Sequence, residues 1–159
     1  MPTVARSRSI PSSPRRVWDL VADPHNLPRW WPETVRVEDV RGKAGAERSR
    51  FTQVFETKGG KAVRADYRCT TSRSGELLIW EQEIEGTPFE GFMRSAELEL
   101  RLDGGERETL VTAEGRRRMR GLSRLGAPLM HRATGRALAG ALEGIEEALS
   151  GSGTGESQR

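Results

Sequence analysis

The chain has 159 residues, long enough to bury about 68–70% of its unfolded surface without a disulfide staple, and its single cysteine, Cys69, has no internal partner to bridge. Twenty-six Lys and Arg against 23 Asp and Glu leave a formal charge of +3, too small and too evenly mixed to imply a polyanionic partner, so nucleic acid is not expected. No run approaches the roughly 18 apolar residues of a membrane span, and residues 1–16 hold no apolar signal-peptide core; the expectation is a cytoplasmic protein.

Residues 3–10 read as a short strand ended by Pro11. Ser12-Ser13-Pro14 is a helix start, a serine cap with proline at the first helical position. That helix carries Val17, Trp18, Leu20 and Val21 and stops at Asp23-Pro24, because the residue before proline is pushed out of the helical region. A second short helix with Leu27, Trp30 and Trp31 runs into Pro32. Alternation of period two follows, the mark of antiparallel strands packed on one side and wet on the other. Val35 and Val37 share one predicted face, as do Phe51, Gln53 and Phe55, then Val63, Ala65, Tyr67 and Cys69. Leu78, Trp80, Gln82 and Ile84 form the next inner face, since Glu81 and Glu83 occupy the other. Ala96, Leu98, Leu100 and Leu102 give the cleanest pattern. For 109–119 both faces compete, Val111, Ala113 and Gly115 against Leu110, Thr112 and Glu114, and no inner face is assigned. Glycine-bearing turns at 42–45, 59–60, 74–75 and 104–105 separate the runs. From Pro128 to Leu149 the apolar period becomes three and four, through Leu138, Leu142, Ile145 and Leu149, which predicts one long amphipathic helix. Leu122 and Leu125 extend the pattern backwards, with a bend at Pro128. Residues 150–159 (SGSGTGESQR) read as a flexible tail after a single domain at 1–149.

The expected fold is therefore α+β: a curved antiparallel sheet of six to seven strands wrapped around a long C-terminal helix, with two short helices after the first strand. Ile10-Pro11, then Val17 to Asp23, then Leu27-Pro28-Arg29-Trp30-Trp31-Pro32 together resemble the N-terminal signature of the START-like (SRPBCC) superfamily, in its polyketide cyclase/dehydrase branch. Glu81 to Gly86 and Ala141 to Glu146 are similar to its later parts. The resemblance covers residues 3–149 and implies a helix-grip fold with a cavity between sheet and helix, used for lipids, polyketides and other apolar molecules. Members include ligand carriers, aromatase/cyclases and protein-binding subunits. No residue matches a catalytic motif shared across the family, so no catalytic role is carried over.

The residues themselves offer little covalent chemistry. One cysteine and the distant His25 and His131 make no metal-ligand pair. No nucleophile elbow or phosphate loop is present, and no cofactor is expected. Arg116, Arg117, Arg118 and Arg120 form the one dense basic cluster, read as a solvated strand end split between two faces. The aromatic set is more informative, because an apolar pocket with a few inward polar groups is the usual form of a small-molecule site. The candidate ligand-binding residues are Trp30, Phe51, Gln53, Phe55, Tyr67, Trp80, Gln82 and His131, the last by counting one heptad back from Leu138. The expected activity is binding of a polyketide- or lipid-like hydrophobic molecule. Two alternatives stand beside it: an aromatase/cyclase in which Tyr67, Gln82 or Glu114 moves protons, and a protein-interaction module with a filled pocket.

Overall fold

The computed structural model describes residues 3–154. Strand β1 (Thr3–Ile10) leads into α1 (Pro14–Val21), where the Ser13 hydroxyl accepts from the Arg16 amide and Pro14 opens the helix. A 3₁₀ turn at Pro24–Asn26, capped by the Asp23 carboxylate, joins α1 to α2 (Leu27–Trp30). Six strands follow: β2 (Thr34–Arg41), β3 (Arg50–Glu56), β4 (Ala62–Arg73), β5 (Leu77–Glu83), β6 (Met93–Gly104) and β7 (Thr109–Met119). A 3₁₀ segment at Gly121–Gly126 then enters α3 (Ala127–Thr154).

All pairings are antiparallel, in the order β1-β7-β6-β5-β4-β3-β2. Strands β2 to β7 are thus a meander, and β1 closes its far edge by pairing with β7. Tight turns make the meander possible; the β4–β5 turn needs Gly75 at φ 75°, a left-handed conformation that a side chain would strain. Helix α3 packs on β1 and β7 and against α1 and α2, and its buried stripe is Leu138, Ala141, Leu142, Ile145 and Leu149. The main core joins that stripe to Ile10, Val17, Leu20, Val21, Leu27, Trp30 and the inner residues of the sheet. A smaller cluster of Ile84, Met93 and Ala96, with Phe89 and Met119, sits at the other end.

This is the helix-grip arrangement expected from the patterning, with seven strands. Several local expectations change. The inner face of β7 is settled: Val111, Ala113 and Gly115 are buried while Leu110 is 44% exposed. In β2 a bulge between Thr34 and Arg36 breaks the register with β3 and turns Val35 to solvent, while Thr34 is buried. Val35 and Val37 therefore do not share a face. The backward extension through Leu122 and Leu125 is a 3₁₀ segment, not α-helix, and both leucines are more than 80% exposed. At the other end α3 continues to Thr154, past the boundary set at Leu149. The remaining tail residues, 155–159, lie outside the described residues.

Candidate functional site

The antiparallel register places one inner-face row across the middle of the sheet. Phe51 on β3 pairs with Tyr67 on β4, which pairs with Gln82 on β5. On the other side Arg117 of β7 pairs with Ala96 of β6. The β5–β6 ladder ends at Glu81–Glu97, and Gln82 and Ala96 are the next residues on the two strands. Gln82, Ala96 and Arg117 line one cleft together, with only the Ala96 methyl group on the strand between the other two. That gap is the floor of the cleft, under α3.

The cleft has a volume of about 50 Å³, space for a few water-sized groups. Leu27, Trp31, Trp80, Leu98 and Leu138 supply its apolar lining, and Gln53, Tyr67, Gln82 and Arg117 its polar one, with Thr134 of α3 above. Gly115 lets the helix approach closely: a Cβ there would stand 3.0 Å from Thr134 Cγ2. The aromatic wall is braced by ring contacts. Phe51 stacks on Tyr67 at 5.4 Å and meets Trp80 edge-on at 5.0 Å; Trp30 in turn touches both Trp80 and Trp31.

The polar groups differ in how well they are satisfied. Gln53 Nε2 donates to Thr34 Oγ1 at 2.7 Å, so this amide is tied to the sheet edge. Gln82 is 7% exposed and its Nε2 has no hydrogen-bond partner among the described residues, a condition that costs about 1–3 kcal/mol when it persists. Burial raises the Tyr67 hydroxyl pKa above its usual value, and the Arg117 charge pulls it part of the way back. Arg117 is half-buried; its Nη1 lies 3.0 Å from Met130 Sδ, and among the described residues it has no carboxylate partner. Its neighbour Arg116 is the reverse case. On the outer face it bonds Glu97 and Glu99, both at 3.2 Å, and Glu114 at 2.5 Å.

Of the eight residues expected from the sequence, the structure brings Gln53, Tyr67, Trp80 and Gln82 to the cleft. Phe51 stands directly behind Tyr67 and Trp80. Trp30 does not line the cleft; it is 2% exposed in the core, and Trp31 takes the lining position. Phe55 lies toward the end of β3, opposite Val63 and Thr34, away from the lining. His131 is exposed, beside a smaller apolar recess with Met130 and Ala127. The heptad count keeps His131 on the same side of the helix as Leu138, but the first turns of α3 hold no buried residue up to Ala133, so the stripe is not covered at that end, and Thr134 is the first α3 residue buried against the sheet. Glu114 is on the outer face with Arg116 and Arg101. Sequence reasoning misses Arg117: its place follows from continuing Val111, Ala113 and Gly115 by two, a signal masked while the inner face of β7 is open.

Among the described residues no helix is long and apolar enough to cross a membrane, and no three His, Cys, Asp or Glu side chains converge. No curated protein matches the chain significantly. Solved structures do resemble it closely. TTHA0849 from Thermus thermophilus aligns with a TM-score of 0.76 at 21% identity, covering 95% of this chain and 99% of that one. The di-domain ARO/CYC BexL from the BE-7585A biosynthetic pathway also gives 0.76, at 18% identity over 94% of this chain and 47% of that one. A START superfamily protein from Mycobacterium smegmatis gives 0.72 at 12% identity, over 91% and 94%. At these identities the likeness establishes the fold. The family model for polyketide cyclase / dehydrase and lipid transport matches residues 1–150, and with that match and the helix-grip architecture around the cleft, the chain belongs to this family.

Proposed function

We propose that the protein binds a hydrophobic small molecule in the cleft between the sheet and the N-terminal half of α3. The observation that carries this reading is the lining itself: Trp31, Trp80, Leu27, Leu98 and Leu138 around a few converging polar groups. At about 50 Å³ the cleft admits a small group and must widen for a larger one. The cover is suited to that. From Arg120 to Ala133 no residue is buried, and Leu122, Leu125 and Leu129 are 74–85% exposed, so lifting this stretch sacrifices little packing. Membership of a family described by polyketide cyclisation and lipid transport is consistent with an apolar ligand.

The test is saturable binding of the neutral fluorophore N-phenylnaphthylamine. Trp80→Ala should weaken it several-fold, and Ala96→Phe, which fills the cleft floor, should abolish it. Arg101→Ala alters the outer face, where Arg101 bonds Glu99, and should leave it unchanged. Absence of saturation, or equal effects from all three, would overturn the assignment.

A further inference from the structure

The polar side of the cleft has a consistent chemical sense. Arg117 can only donate hydrogen bonds, and the free nitrogen of Gln82 is also a donor. The two flank the Ala96 gap, and Tyr67, paired with Gln82 in the sheet, adds a hydroxyl to the lining. The acid nearest in the lining, Glu97, is engaged by Arg116, whose Nε lies 3.2 Å from its Oε2. The other two acids of that cluster, Glu99 and Glu114, also serve Arg116 on the outer face. Three adjacent arginines thus distribute unevenly. Arg116 takes the three carboxylates, Arg118 is exposed, and Arg117 turns inward, where among the described residues its one hydrogen-bonding neighbour is a thioether.

We propose that the cleft selects amphiphiles with an anionic head, a carboxylate or similar planar oxyanion, gripped by Arg117 and Gln82 across Ala96. This rests on the ligand-binding reading above and adds the class of molecule. A guanidinium presents parallel N–H donors that match a carboxylate, and Gln82 supplies a neutral donor from the opposite strand. A small head fits the volume over Ala96, while Leu27, Trp31, Leu98 and Leu138 receive the apolar portion. The head also replaces the weak Met130 contact of Arg117 with a charge-assisted one.

The experiment compares decanoate, decanol and decyltrimethylammonium as competitors of bound N-phenylnaphthylamine. Decanoate should compete about tenfold or more tightly than decanol, the scale of a charge-assisted hydrogen bond, and the cation should be weakest. Arg117→Met should erase the preference for decanoate over decanol, Arg117→Lys should restore part of it, and Gln82→Leu should reduce it. Equal competition by all three amphiphiles in the unaltered protein overturns the anionic head and leaves the hydrophobic cleft standing. A preference that survives Arg117→Met overturns it equally. Failure of every amphiphile and of the fluorophore to bind overturns the cleft itself. The placement has a ligand-free readout, because Tyr67 is the chain's one tyrosine. Arg117→Met should raise the midpoint of its phenolate absorbance titration, and an unchanged midpoint counts against an inward Arg117.

Discussion

Cys69 shows how burial decides the chemistry of a single residue. It is 1% exposed on the inner face of β4, opposite Trp80, and burial with the nearby Glu47 charge pushes its thiol pKa up to about 11. The thiolate is the reactive form, so Cys69 belongs to the core and not to a nucleophilic site. The shift also has a stability consequence. A group whose folded pKa is raised stabilises the protein fully below its unfolded value, about 8.5 for cysteine, and that contribution disappears as pH rises through the folded value. The expected loss is about 2–3 kcal/mol between pH values near 8.5 and 11. Denaturant midpoints measured across that range should fall for the native chain, and Cys69→Ser should flatten the slope. An equally steep slope in the variant would put the titrating group elsewhere.

Among the elements, α3 owes its seat to residues without side chains. A Cβ on Gly144 would stand 2.0 Å from the Trp30 carbonyl oxygen, and one on Gly140 would stand 2.9 Å from Pro32 Cγ. Helix α2 therefore lies against a notch in α3, and this close approach holds Trp30 in the core with its ring on Trp80. Alanine is the better helix former by about 1 kcal/mol, so an exposed Gly→Ala change would stabilise. At Gly144 the clash is with backbone and outweighs that gain. Gly144→Ala should lower stability by about 1–3 kcal/mol net, read as a drop in the thermal midpoint. Gly126→Ala, in the 3₁₀ segment before α3, where an added Cβ meets nothing within 4 Å, serves as the clash-free control and should not lower it.

At the scale of the whole molecule, stability is distributed unevenly along the helix that the sheet grips. Leu138, Leu142, Ile145 and Leu149 are anchored in the core, whereas the stretch from Arg120 to Ala133 holds no fully buried residue. Local opening is easiest where few apolar contacts are lost. Amide hydrogen exchange should therefore be fast over 121–133 and slow over 138–149, and a bound amphiphile should slow the first stretch selectively. Uniform protection along α3 would remove the route by which the cleft widens. The two ends of the helix thus differ in kind: one holds the fold, and the other is where the proposed ligand would enter.

The order of elements, the inner faces of β4, β5 and β6, and the buried stripe of α3 were legible in the sequence, because period two and period 3.6 are local properties of the chain. The same periodicity placed Gln53, Tyr67, Trp80 and Gln82 on the side where the cleft forms. It failed wherever a neighbour broke the period or two faces looked alike. The bulge in β2 turns Val35 out, the uncovered start of α3 leaves His131 exposed although it lies on the apolar stripe, and β7 offered two comparable faces until its pairing with β6 chose one. Which strands adjoin is not a local property either. Only the strand order sets Gln82 and Arg117 on either side of Ala96, and among the described residues Glu97, Glu99 and Glu114 bond Arg116 on the outer face while Arg117 has no carboxylate partner. Alternation along a strand tells a residue which way to face; it takes the neighbouring strands and the helix above to decide what that residue meets there.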